Sequence, residues 1–204
     1  MNTKIIYIDG WFLQPPLRGV GKYIKNLLTY LEIKNNSLKY ILLVPRNDLE
    51  LSYLPEHISI EIIKCKYSFI WYEFYIPRLL NKKKDPYIFF PSGICSLIYN
   101  PSNKNIFSTI HDVSALMNFK YSPISFKLRS IFGRIYRVLS FYKIINNSII
   151  IFTVSKTSKC GIEKFLPKRK NNYPEIKVVY NASEMKFLKS YSKSKSFLCI
   201  TGAN

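Results

Sequence analysis

The chain has 204 residues, 48% of them hydrophobic and 21% charged. That excludes a collagen, a coiled coil and wholesale disorder, and a chain of this length buries about 70% of its unfolded surface without help from disulfides or a metal. Thirty-one Lys+Arg stand against 12 Asp+Glu, a net charge of +19, which calls for an anionic partner: a phosphate-bearing substrate, an anionic membrane face or a nucleic acid.

Lys4 to Asp9 is an apolar run followed by Gly10 and predicts a buried strand. Gln14 to Gly21 carries two prolines and two glycines and reads as a loop. Val20, Ile24, Leu27, Leu28 and Leu31 then recur at helical spacing. Strands follow at Leu38 to Val44 and at Ile58, Ile60, Ile62 and Ile63. A short helix is predicted from Tyr72 to Leu80, with further strands at Tyr87 to Phe90 and Asn105 to Ile110.

Ser122-Pro123 supplies a cap and a first-turn proline for a long helix. Its predicted core stripe is Leu128, Ile131, Phe132, Ile135, Val138, Leu139, Tyr142 and Ile145. Phe126, Tyr136 and Phe141 fall among the cations outside that stripe. Between Ser122 and Lys170 there are 11 Lys+Arg and one acid, Glu163. A basic face with protruding aromatics suits an anionic lipid surface.

A strand at Ser148 to Val154, a helix from Lys156 to Leu166 capped by Ser155, and a strand at Glu175 to Tyr180 complete the alternation. Glu184 to Ser196 reads as a polar linker, and Phe197 to Thr201 as the opening of one more strand. Strands that are continuous Ile-rich runs, alternating with helices, predict an α/β fold: a Rossmann-like, doubly wound parallel sheet.

Ligands in such a sheet bind beyond the carboxyl ends of the strands. Three segments fall there. Arg18-Gly19-Val20-Gly21 opens a helix whose N–H groups favour an anion. Thr109-Ile110-His111-Asp112 puts a histidine at a strand end, and Thr153 to Lys159 leads a strand into a helix through Ser155. The opening loop is too long for a dinucleotide fingerprint, and GxGxxG is missing. Two His and four scattered Cys make no metal site. No GxSxG elbow supports a Ser-His-Asp hydrolase. The charge leaves a polyanion- or nucleic-acid-binding Rossmann-like protein as an alternative. No RRM, KH, helix-turn-helix or zinc motif accompanies it, so nucleic acid is not the expected partner.

Taken in order, these segments resemble family 4 glycosyltransferases. Ile8-Asp9-Gly10-Trp11, with Arg18-Gly19-Val20-Gly21-Lys22-Tyr23 and Asn26-Leu27-Leu28, is similar to that family's "IDxR…GVGRYxxNLL" opening. Ile110-His111-Asp112 resembles "xHD", and Phe152 to Ser158 resembles "ITVSxxS". Val178-Val179-Tyr180-Asn181-Ala182 resembles "VVPNG", with Tyr and Ala in place of Pro and Gly. Phe197 to Asn204 resembles the first strand of a second domain.

The resemblance implies the N-terminal half of a GT-B fold: an acceptor domain over residues 1–183, with a linker and the start of a nucleotide-sugar domain over 184–204. It implies a retaining transfer of a hexose, mannose among the options, from a GDP- or UDP-sugar to a polysaccharide or lipid-linked glycan, without a metal or other cofactor. His111 is the implied catalytic candidate. Gly19, Gly21, Ser155 and Asn181 are implied on the donor phosphates and sugar, and Trp11, Arg18 and Tyr23 on the acceptor. The family's E-x7-E carboxylates are not found in these residues, so the chain alone is expected to be catalytically incomplete, with a separate C-terminal domain chain as a potential partner. With no signal-peptide core or spanning segment, the expected location is the cytoplasm, peripheral on the inner face of the cell membrane.

Overall fold

A computed structural model describes residues 4–32, 38–83, 86–101, 105–117, 128–166 and 173–181, at 129 the backbone alone. The predicted start of the long helix at Ser122-Pro123, the linker over 184–196 and the strand over 197–201 lie outside the described residues, as does the boundary between the two expected domains.

Seven strands form one sheet: β1 (Lys4–Asp9), β2 (Leu38–Val44), β3 (Ile58–Ile62), β4 (Tyr87–Phe90), β5 (Ile106–Thr109), β6 (Ser148–Thr153) and β7 (Glu175–Val178). Their order is β3-β2-β1-β4-β5-β6-β7, and every pair is parallel. The chain moves one way from β1 to β3, then returns to the other side of β1 and moves outward through β7. The order therefore reverses between β1 and β4, where a crevice opens beyond the strand ends.

Successive strand residues face opposite sides, and the core divides accordingly. Ile8, Leu42 and Phe89 join Ile24 and Leu28 of α1 (Gly19–Thr29) on one face. Tyr7, Leu43, Ile88 and Phe90 join the other face. There they meet a π-helical turn (Trp71–Tyr75) and α3 (Ile76–Leu80), which continue the exposed α2 (Ser68–Ile70), then α4 (Leu128–Asn147) and α5 (Lys156–Lys164). Parallel strands buried on both sides explain why the sequence shows continuous rather than alternating apolar runs.

The predicted single helix from Tyr72 to Leu80 is thus the end of a composite element that begins at Ser68 and passes through the π turn. β7 ends at Val178, two residues before the predicted limit, and α5 ends at Lys164.

The larger departure is in α4. Its buried residues are Ser140, Phe141, Ile144 and Ile145. Leu128, Phe132, Ile135, Leu139 and Tyr142, all assigned to the core by periodicity, stand between 37% and 72% exposed. At about 100° per residue, Phe141 lies nearly opposite Leu139 on the helix wheel. The inward side is chosen by fit: small Ser140 lets α4 approach the 94–98 loop, its Oγ donating to the Cys95 carbonyl at 3.3 Å. Phe141, Ile144 and Ile145 then pack with Ile106 and Ile151.

Candidate functional site

The crevice at the strand reversal holds a cleft of about 240 Å3, lined by Phe12 and Val20 from the β1–α1 connection, Gly93 beyond β4, His111 and Asp112 beyond β5, and Arg137 of α4. Gly93 lines it, and Gly10 and Gly21 bring the surrounding elements close. A Cβ at Gly10 would stand 2.5 Å from the Leu43 carbonyl oxygen, which accepts from the Gly10 N–H at 2.9 Å. Gly93 has φ +71°, a left-handed conformation that favours glycine, and lies against the Thr109 carbonyl. A Cβ at Gly21 would meet the Phe12 carbonyl oxygen at 2.5 Å.

His111 is held from three directions. Its Nε2 lies 2.8 Å from the Pro91 carbonyl oxygen. A carbonyl only accepts, so the ring proton resides on Nε2 and the lone pair on Nδ1, which meets no hydrogen-bond partner among the described residues. The Tyr23 ring meets it edge-on, centroids 4.8 Å apart, while the Tyr23 hydroxyl bonds Thr109 Oγ1 at 2.9 Å. The His111 carbonyl accepts from Ser158 Oγ at 2.7 Å. Burial lowers the imidazole pKa against the opposing pull of the Pro91 and Asp112 contacts, so His111 is neutral at pH 7. A neutral ring with a free Nδ1 is suited to accept a hydrogen bond, or a proton, from a hydroxyl.

Beneath the crevice, Asp9 ends β1 fully buried. Its Oδ1 accepts from the Trp11 N–H at 3.1 Å and from Trp71 Nε1 at 2.9 Å, and its Oδ2 from the Tyr72 hydroxyl at 2.8 Å. Burial outweighs these three donors and pushes its pKa up to about 6. One residue on, Glu73 accepts from the Leu97 and Ile98 N–H groups at 2.9 and 3.1 Å and from the Tyr136 hydroxyl. Consecutive residues of the π turn therefore tie β1, the 94–98 loop and α4 together, and widened π turns recur at functional sites.

Above this network lies a second cavity, about 700 Å3, lined by Trp11, Phe12, Phe69, Phe132, Tyr136 and Leu139 among others. It shares Phe12, Ile94 and Arg137 with the His111 cleft. The two form one depression, polar around His111 and aromatic toward α4.

The sequence-predicted residues distribute unevenly around it. Trp11 lines the aromatic part. Gly19 is the exposed first residue of α1, with open space about it, and Arg18 occupies the N-cap position without a side-chain cap bond. Gly21 is buried and accounted for by the close approach of α1 to Phe12. The Ser155 hydroxyl accepts from the Ser158 N–H at 3.0 Å as the cap of α5, and reaches His111 only through Ser158. Asp112 accepts from the Ser114 N–H at 2.8 Å, turning the chain rather than orienting the imidazole. Asn181 is exposed beyond β7 and lines neither cavity.

Sequence reasoning missed Trp71, Tyr72, Glu73, Tyr136 and Arg137. The signal was present in Tyr67 to Tyr75, where one acid sits in a dense aromatic run. Among the described residues no cluster of His, Cys, Asp and Glu is placed to hold a metal ion, and no helix is long and apolar enough to cross a membrane. Burial pushes the Cys95 thiol up to about 12, which leaves it unreactive.

Fold and crevice define an α/β protein of the Rossmann-like, doubly wound class. Compared with protein-family models, with curated proteins and with solved structures, the chain matches none.

Proposed function

We propose that the chain is the acceptor-binding part of a retaining glycosyltransferase, working in the cytoplasm at the inner face of the cell membrane. A hexose passes from a GDP- or UDP-sugar to a polysaccharide or lipid-linked glycan. The observation that supports this reading is the single depression at the strand reversal, in which His111 meets an aromatic groove. Two of the segments that resemble the glycosyltransferase motifs contribute to its walls, the opening one through Trp11 and Val20 and the strand-end one through His111 and Asp112, while the segment around Asn181 does not.

In this reading the Nδ1 lone pair of His111 accepts from a hydroxyl of the transferred sugar. Trp11 offers a flat apolar face to the acceptor, and the exposed start of α1 at Gly19 directs its dipole toward the donor's phosphates. Tyr23 acts through its contact with His111 rather than on substrate, and Ser155 through Ser158. Loss of the sugar leaves negative charge on the diphosphate, which needs fixed positive groups. The E-x7-E carboxylates and phosphate-clamping cations of the family are not found here, so a second, donor-binding domain completes the reaction.

The two tryptophans, Trp11 and Trp71, stand with ring centroids 5.6 Å apart at this site, so their emission reports on it. Titrating a lipid-linked glycan acceptor should quench the emission saturably. The quench should shrink in Trp11→Phe and weaken in His111→Ala. Radiolabelled nucleotide sugars incubated with the chain and a membrane lipid fraction should give no transfer. No saturable quench with any acceptor class would remove the acceptor-binding reading, and robust transfer by the chain alone would remove the division of labour.

A further inference from the structure

We propose that the outward stripe of α4 is a membrane-docking surface that seats in an anionic bilayer and brings the mouth of the aromatic groove to the lipid. The inference takes from the proposed function only its location beside a membrane.

Leu128, Phe132, Ile135, Leu139 and Tyr142 follow one another at intervals of four, three, four and three residues, which places them along a single side of the helix. All five are exposed. A single exposed leucine needs no explanation, but a continuous run over four turns does. The surface extends beyond α4. Phe69, 65% exposed, stands 6.3 Å from the Tyr136 ring, centroid to centroid, and Ile70, next in the chain, is exposed as well. Phe69, Phe132, Ile135 and Leu139 also wall the 700 Å3 groove, so the exposed face and the groove are continuous.

Charge selects the occupant. α4 carries no acid, and of its cations Lys143 follows Tyr142 of the stripe, whereas Arg134 donates to the Ala115 and Met117 carbonyls and Arg137 lines both cavities. Arg78 holds its guanidinium 5.8 Å from the Phe74 ring centroid, and Lys66 its ammonium 5.9 Å from that of Tyr67. A second copy of the chain laid along this stripe would oppose cations to cations, each copy carrying a net +19, with no acid on α4 to pair across the seam. A nucleic acid would use the cations and leave the Leu, Ile and Phe side chains in water. An anionic bilayer satisfies both: its headgroups meet the Lys and Arg side chains, and its acyl boundary receives the apolar stripe. This is the arrangement of a helix lying in the interface plane.

The test is co-sedimentation of the full chain with vesicles of equimolar phosphatidylcholine and phosphatidylglycerol, beside vesicles of phosphatidylcholine alone. These vesicles hold no glycan acceptor, so the result is independent of the tryptophan titration above. The chain should bind the anionic vesicles, weaken as salt rises, and bind phosphatidylcholine poorly. The double variant Phe132→Ser/Leu139→Ser should lose at least about tenfold in affinity, since two large apolar side chains no longer enter the acyl boundary. Both positions are exposed, so its thermal melt should match that of the parent chain. A second variant, Tyr30→Ser, removes an exposed aromatic at the end of α1 and should bind as the parent does. Equal binding by the parent and the double variant would overturn the proposal in favour of charge alone. Failure of the parent to bind, or a dimer in sedimentation velocity that only the double variant loses, would overturn it too.

Discussion

α1 and α4 are both amphipathic helices on the same sheet, one on each face, and they use their apolar residues in opposite ways. In α1 the stripe read from the sequence points inward, with Ile24 and Leu28 fully buried against β1, β2 and β4. In α4 Phe141 and Ile144, outside the predicted stripe, take the core together with Ile145 from its end, and Leu128, Phe132, Ile135, Leu139 and Tyr142 of the stripe are left facing outward. A helix with one apolar side has only one way to dock. A helix with two is oriented by whichever side fits, and here the fit is set by Ser140 against the loop at Cys95.

The sharpest test of this contrast is a pair of truncations. Leu28→Ala should cost about 2–5 kcal/mol, because a fully buried side chain leaves a cavity. Leu139→Ala should stay within about 0.5 kcal/mol, because the residue is half exposed and its loss opens no cavity. Urea denaturation of both variants decides it, and equal losses would place the α4 stripe in the core after all.

The two faces also differ in charge. The α1 cluster is apolar throughout, whereas the opposite layer contains the Asp9 carboxyl. Its pKa of about 6, above the ordinary carboxyl value, means that the folded chain holds the proton more tightly than the unfolded chain. The stability this group contributes is complete below about pH 4 and is lost as pH rises through about 6. In Asp9→Asn the amide oxygen retains the Trp11 and Trp71 bonds and the amide nitrogen donates to the Tyr72 oxygen, whose own proton turns to Ser92. The variant should therefore gain on the parent between pH 4 and 7, by an amount on the order of 3 kcal/mol. Denaturant unfolding at stepped pH, read as the difference between the two proteins, measures this. A difference that does not change with pH would show that Asp9 is not desolvated as described.

Glycines extend the comparison at smaller scale. Gly21→Ala in α1 should cost about 1–3 kcal/mol by driving the helix off Phe12, while Gly19→Ala, in open space, should be close to neutral. Gly133→Ala in α4 meets nothing within 4 Å and should stabilise by up to about 1 kcal/mol through helix propensity. Thermal melts of the three rank them, and a destabilising Gly133→Ala would mean that the groove wall at that point is packed.

The strands were legible because burial on both sides makes them unbroken apolar runs, and their carboxyl ends located the crevice. Gly10, His111 and Trp11 fall where topology alone would put them. What periodicity does not carry is the choice between two apolar sides of one helix, since that choice depends on the neighbour. The Asp9 and Glu73 anchors were hidden for a related reason. Trp71 and Tyr72 are 62 and 63 residues from Asp9, and Glu73 aligns with the 94–98 backbone only because the helix widens there. Gly21 and Ser155 drew attention by residue type, yet packing and capping account for both.

The five-residue π turn makes the length of this segment as consequential as its composition. Removing one residue from Trp71–Tyr75 would return it to α-helical pitch and rotate everything after the cut by about 100°. With Trp71, Tyr72 and Glu73 held by their bonds, α3 would then turn Ile76 and Leu80 out of the core, and keeping α3 seated would instead pull those bonds apart. Natural variants of this chain should therefore accept side-chain exchanges in the segment, such as Phe74→Tyr at its exposed edge, far more readily than a single-codon deletion.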